Sequence, residues 1–256
     1  MSGHSHFHSI KHKKELEDKK RSKIFSKISR LITVAAKEGG GDPENNPRLR
    51  LAIEQAKSAN MPKDNIERAI KRGTGELEGE KLEEFLFEAY GPGGIAIIIE
   101  GITDNRTRTL NEVKQILNQK GGKLANEGSV KWLFERKGEI IINTKQDNEE
   151  EREKVEEKER NKITKEDLEM IAIESGAEDF HWQDDLFIIS TTPEKLEEVK
   201  DNLKEKGLKI ESSSLGWSAK EEIPTNEEIK KTCQALFEAL DENDDIQEIY
   251  SNLRIN

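Results

Sequence analysis

Four of the five histidines of this 256-residue chain fall within its first twelve residues, as His4, His6, His8 and His12. In extended backbone the first three share a face, an arrangement that suits a transition metal. No carboxylate or cysteine stands among them to complete a zinc site. The other reading is a polar tail that orders on a partner, with the histidines and Phe7 stacking on bases. Nucleophilic chemistry has little to work with, because His181 is the only histidine in the body of the chain and Cys233 the only cysteine. Gly91-Pro92-Gly93-Gly94 lacks the G-x-G-x-x-G spacing of a dinucleotide site, and Gly39-Gly40-Gly41 lacks the Lys-Ser/Thr of a P-loop. Arg106 and Arg108 lie in Thr103-Asp104-Asn105-Arg106-Thr107-Arg108-Thr109, at an expected strand-to-helix junction. That segment reads either as an anion site or as a helix start capped by Asp104 or Thr107. No enzyme activity, metal, cofactor or small-molecule substrate is expected from these residues. Trp132, Trp182 and Trp217 sit in or beside expected strands and read as core.

Basic residues offer a clearer pattern. The formal net charge is −11, which by itself argues against a nucleic-acid partner. Residues 1–75, however, hold 17 Lys and Arg against 9 Asp and Glu, a net of +8, and the remainder carries −19. A cationic amino-terminal unit on an acidic body reads as a polyanion-binding module on a soluble scaffold, or as two ordinary solvated faces. The longest aliphatic run, Ile95 to Ile99, is too short for the ~20 residues of a membrane-spanning helix. With no secretory apolar stretch and a single cysteine, the chain is expected to be cytoplasmic, with no membrane partner.

These cations must be carried by helices. From about Lys13 to Lys37 no Gly or Pro intervenes, and Ile24, Phe25, Ile28, Leu31, Ile32 and Ala35 share one side at 100° per residue. Lys20, Lys23, Lys27 and Arg30 occupy the opposite side and are expected to track phosphates. Asn46 can cap a second helix beginning at Pro47 and running to about Asn60, and Pro62 opens a third that ends at Gly73. Arg48, Arg50, Arg68, Lys71 and Arg72 add positive charge to this pair.

Downstream the pattern is mixed. Strands are expected at Glu84–Tyr90, Ile95–Ile102, Val130–Glu135, Glu139–Asn143, Leu186–Ser190, near Leu208–Ile210 and at Ile246–Leu253. Helices are expected from Thr107 to Gly121, from a Thr164/Asp167 cap to Ser175, from Pro193 to Lys206, and after a Thr225/Glu228 capping box. Residues 147–160 hold eight acids and four bases and read as a solvated arm or linker. The fold class is therefore α+β: a three-helix unit followed by two small α/β sandwiches.

Several segments resemble the YebC family: Gly3-His4-Ser5, Lys20-Arg21, Gly39-Gly40-Gly41-Asp42-Pro43-Glu44, Asn46-Pro47-Arg48-Leu49-Arg50-Leu51-Ala52-Ile53 and Asn60-Met61-Pro62-Lys63-Asp64-Asn65-Ile66-Glu67-Arg68-Ala69-Ile70. The likeness continues through Tyr90-Gly91-Pro92-Gly93-Gly94, Thr103-Asp104-Asn105-Arg106 and Gly128-Ser129-Val130. Two departures stand out: His6-Phe7 replaces the family's usual Lys-Trp, and the charged stretch at 147–160 is longer than typical. The resemblance implies three domains, with the last inserted in the middle one. The boundaries expected are 1–76, then 77–136 with 212–256, then 137–211. It also implies a non-enzymatic role in gene expression. Bacterial members are described as probable DNA-binding transcriptional regulators, others as ribosome-associated translation factors acting at difficult sequences such as proline runs, and organellar ones as translational activators. The partner is accordingly expected to be DNA or ribosomal RNA. Contact is expected through Gly3, His4, Ser5, Lys20, Arg21, Lys23, Lys27, Arg30, Arg48, Arg50, Arg68, Lys71 and Arg72.

Overall fold

The computed structural model describes residues 18–144 and 164–254, with side chains described from Arg21 onward. The amino-terminal tail and the charged stretch at 147–160 lie outside the described residues. The fold is α+β, and it divides into two compact units. Arg136–Gly216 forms one; the described residues up to Glu135, together with those from Trp217, form the other.

The larger unit begins with helix α1 (Asp18–Gly39), which stops where Gly40 takes a left-handed φ of 85°. Helix α2 (Pro47–Ser58) starts on the expected cap, the Asn46 side chain accepting from the Leu49 N–H. The same Asn46 amide donates to the carbonyls of Ala35 and Gly40, tying the start of α2 to the end of α1. Helix α3 (Lys63–Thr74) follows Pro62 and ends at a left-handed Gly75. Ile28, Ile32, Ala35, Leu49, Ala52, Ala56, Ile66 and Ala69 make the core of the three. The crossing of α1 and α3 is close because Gly73 has no side chain. A Cβ there would collide with the Thr33 carbonyl and stand 2.7 Å from the Ala36 Cβ.

A sheet of order β3-β1-β2-β8 completes this unit, from β1 (Glu83–Tyr90), β2 (Ala96–Thr103), β3 (Lys123–Leu124) and β8 (Ile246–Ser251). Strand β1 pairs antiparallel with β2 and β3, and β2 pairs antiparallel with β8. Helices α4 (Arg106–Gln119) and α7 (Glu227–Asp241) supply Val113, Leu117, Leu236, Phe237 and Leu240 to one face, against Phe85, Phe87, Ile97 and Ile99. On the other face Ala96, Ile98 and Tyr250 meet Val130, Phe134 and Ala219. Strand β2 is thus buried on both sides, as its continuous apolar run requires.

The second unit holds a sheet of order β5-β6-β4-β7, from β4 (Phe134–Asn143), β5 (Asp179–Gln183), β6 (Leu186–Thr191) and β7 (Ser212–Ala219). Helix α5 (Lys165–Glu174) opens on the expected Thr164/Asp167 capping box, and α6 (Leu196–Glu205) follows a 3-10 turn at Pro193–Lys195.

Several expectations are corrected. One strand, β4, runs through Lys137-Gly138 where two were expected. Gly138 is not a turn residue; its missing side chain admits Leu196, whose Cβ would lie 3.0 Å from an added one. Lys131–Leu133 forms a 3-10 turn rather than strand, the N–H groups of Val130 and Lys131 being taken by a buried carboxylate described below. The strand near Leu208–Ile210 is instead β7, beginning at Ser212, and β5 was not foreseen. Helix α7 is capped by Asn226, whose side chain accepts from the Ile229 N–H, and not by Thr225.

Candidate nucleic-acid interface

Along α1, Lys23, Lys27 and Arg30 recur at intervals of four and three, so they form one stripe opposite the apolar side. That stripe faces the molecule, not solvent. Lys27 is 5 % exposed; its ammonium lies 2.8 Å from the Asp241 carboxylate and 3.3 Å from the Asp241 carbonyl. The Arg30 guanidinium pairs with the Asp245 carboxylate and donates to the carbonyls of Ile102 (2.9 Å) and Asp244 (3.3 Å). Lys23 stands 3.5 Å from Glu242. The three cations thus dock on the carboxyl end of α7, where helix carbonyls and the run Asp241-Glu242-Asn243-Asp244-Asp245 concentrate negative charge. Removing such groups from water is favourable only with partners, which the end of α7 and the acidic run after it supply.

Asp245 is the hub of that contact. Its carboxylate accepts from Thr109 (2.6 Å), Arg108 (2.8 Å), Thr103 (3.1 Å) and Arg30. Burial opposes its charge, but the hydrogen bonds from Thr109, Arg108 and Arg30 outweigh this and hold its pKa down to about 2. Arg108 also bonds Asp104 at 2.6 Å and lies 3.8 Å from Glu112, so its own pKa is raised, by Asp104 first and Asp245 next. Of the two readings of this segment, anion site or helix start, the geometry builds a helix start. Arg108 is neutralised from within, and Arg106 lies over the Phe87 ring, 5.5 Å from its centre. Asn105, neither Asp104 nor Thr107, caps α4 by accepting from the Arg108 N–H.

The remaining sites divide. Arg48 is held between Glu38 and Glu84. Arg50 is half-buried. Arg21 is exposed, while Gly3, His4, Ser5 and the side chain of Lys20 fall outside the described residues. Arg68, Lys71 and Arg72 stand together on the outward face of α3, all exposed, at spacings of three and four. Arg68 donates to the Asn65 amide oxygen at 3.2 Å, and none of the three makes an ion pair with another described residue. This is the cationic face that the fold leaves open.

Two features were not legible beforehand. Glu88, buried, accepts three backbone N–H bonds: from Gly128 at 2.5 Å, Val130 at 2.6 Å and Lys131 at 2.8 Å. Burial raises its pKa, yet the three bonds win and the group is held below the usual carboxylate range. The turn it fixes presents Trp132, 65 % exposed, where core was expected. An isolated acid in a strand and a Trp beside another carry no periodic signal for either role. Among the described residues no cluster of His, Cys, Asp or Glu is arranged to hold a metal ion, and no helix is long and apolar enough to cross a membrane. The amino-terminal histidines lie outside those residues.

An α+β chain with an amino-terminal helical unit docked by ion pairs on its first sheet defines the class. Residues 5–76 match the TACO1/YebC protein N-terminal domain, and residues 82–253 the TACO1/YebC second and third domain. The chain belongs to the TACO1/YebC family. A relative from Halothermothrix orenii, named "Probable transcriptional regulatory protein", is 46% identical over all of this chain and 96% of its own. One of the same name from Persephonella marina is 49% identical, over all of this chain and 97% of its own. The crystal structure of a conserved hypothetical protein from Aquifex aeolicus superposes with a TM-score of 0.85 at 45% identity, covering 96% of each chain.

Proposed function

We propose that this protein is a nucleic-acid-binding regulator of gene expression, a DNA-binding transcriptional regulator of the kind its relatives' names describe, acting in the cytoplasm without catalysis. The observation that carries the reading is the trio Arg68, Lys71 and Arg72, exposed on one face of α3 with no carboxylate partner among the described residues. Side chains of this type at this spacing neutralise successive phosphates and release counterions. Residues 1–76 then serve as the nucleic-acid-facing domain, residues 77–136 with 212–256 as its support, and residues 137–211 as the insertion.

A second reading, an RNA- or ribosome-associated translation factor, is favoured by what the open face lacks. Three cations near the carboxyl end of a helix suit an irregular phosphate surface better than base-edge readout in a major groove. Sedimentation of the untagged protein from lysate through a sucrose gradient separates the two. Release of a fast-sedimenting fraction by DNase supports the first reading; co-migration with ribosomes that RNase abolishes supports the second. Sedimentation as a free protein under every condition contradicts both.

A further inference from the structure

Glu88 fixes a turn that sends one side chain, Val130, into the core and another, Trp132, outward. Its carboxylate holds the N–H groups of Gly128, Val130 and Lys131, the Trp132 indole N–H donates to the Ser129 carbonyl at 3.0 Å, and the Trp132 carbonyl takes the Lys220 ammonium at 2.8 Å. A large aromatic face is therefore held out in water in a single pose. An indole face held outward in this way is suited to a stacking partner. The Ser129 carbonyl also accepts from the Tyr90 hydroxyl at 3.3 Å, which joins the turn to a cavity of about 450 Å³. Tyr90, Lys123 and five glycines line it. Its wall is therefore largely backbone, and a Cβ at Gly94 would meet nothing within 4 Å. That volume lies in the ~300–1,000 Å³ range of small-ligand sites. Cations alternate with the rings: the Lys123 ammonium is 5.7 Å from the Tyr90 ring centre and the Lys131 ammonium 5.3 Å from that of Trp217.

We infer that the 128–132 turn and the glycine-lined cavity beside it form a site for single-stranded nucleic acid. One unpaired base stacks on Trp132, and an adjoining nucleotide enters the cavity against Tyr90 and Lys123. In a duplex each base is already stacked between its neighbours, so its ring faces are not open to Trp132 and a duplex does not fit. The cavity offers glycine backbone, the Tyr90 ring and the Lys123 ammonium in place of aliphatic side chains, which suits a nucleotide better than an apolar peptide. The inference rests on the reading that the partner is a nucleic acid, and it adds a separate site for an unpaired stretch of it.

The test uses the full chain and fluorescein-labelled eight-nucleotide oligo(U) RNA and oligo(T) DNA, with affinity read by anisotropy. Trp132→Ala weakens binding by about 5- to 150-fold, the range for loss of one stacked base, while Trp132→Phe stays within about threefold of wild type. Lys123→Ala makes the salt slope shallower by about 0.7. Melting temperatures of the exposed-site variants check that they fold. Preference for RNA adds recognition of the ribose hydroxyl to the site; equal affinity means that bases and phosphates alone are read. Oligonucleotide binding that is indifferent to Trp132→Ala but lost in the Arg68, Lys71 and Arg72 triple alanine variant overturns this inference and spares the proposed function. Failure of every single- and double-stranded probe to bind overturns both.

Discussion

Arg30 and Asp245, 215 positions apart in the chain, form a buried ion pair that docks α1 on the end of α7. With Lys27 and Asp241 beside it, this pair converts the most basic stripe of the amino-terminal helix into an internal joint. Arg68, Lys71 and Arg72 of α3 stay exposed.

The joint should weaken in acid. Asp245 has a native pKa of about 2, below its unfolded value of 3.8, so its stabilisation is complete above the unfolded pKa and is lost as pH falls from about 4 towards 2. The difference corresponds to about 2 kcal/mol. Urea denaturation of wild type and Asp245→Asn between pH 7 and 3 reads it. The variant should be about 3 kcal/mol less stable at pH 7, because Arg30 and Arg108 lose this partner, and the gap should narrow as pH falls to 3. A gap that stays constant with pH contradicts the assignment.

Lys27→Ala should lower stability, by about 2–4 kcal/mol, since it leaves Asp241 without its buried partner. It should leave the salt dependence of nucleic-acid binding unchanged. A shallower slope with unaltered melting would return Lys27 to the phosphate interface.

Glu88→Gln keeps the shape but turns an amide N–H towards donors. Loss of about 1–3 kcal/mol is expected, with faster proteolytic cleavage around residues 126–131. Unchanged proteolysis would mean that the turn is held by other contacts.

Cys233 lies in the core behind Pro92, and burial pushes its thiol up to about 11. A thiol reagent at pH 8 should therefore label it only on unfolding, at a rate that follows global stability. Stoichiometric labelling of the native protein within minutes contradicts this packing.

Gly73→Ala should separate α1 from α3 and cost about 2–4 kcal/mol, more than a helical Gly→Ala change would otherwise gain. A stabilised variant would mean that the helices can part without loss.

Much of the fold can be read from short-range patterns. Asn46 before Pro47 and Thr164 three residues before Asp167 mark helix starts because each cap is satisfied locally. Phe85 and Phe87 alternate, and the isoleucines of β2 run unbroken, because one strand has two covered faces. What escapes the sequence is decided at long range. β7 is polar along Ser212-Ser213-Ser214 and becomes strand through its neighbour β4. Likewise Lys27 looks like a solvated lysine until Asp241 is brought to it from 214 residues away. In the candidate site the basic residue types were legible, but which of them face outward was not. That depends on the acidic run after α7, whose negative charge looks like ordinary surface in isolation.

The most direct measurement is the affinity for a fluorescein-labelled 20-base-pair duplex between 50 and 300 mM salt, for wild type and the Arg68→Ala, Lys71→Ala, Arg72→Ala triple variant. Each lost phosphate contact reduces the log–log slope by about 0.9, so the triple variant should be shallower by about 2 to 3 with its melting temperature preserved. An identical slope in the two proteins would remove the outward face of α3 from the interface.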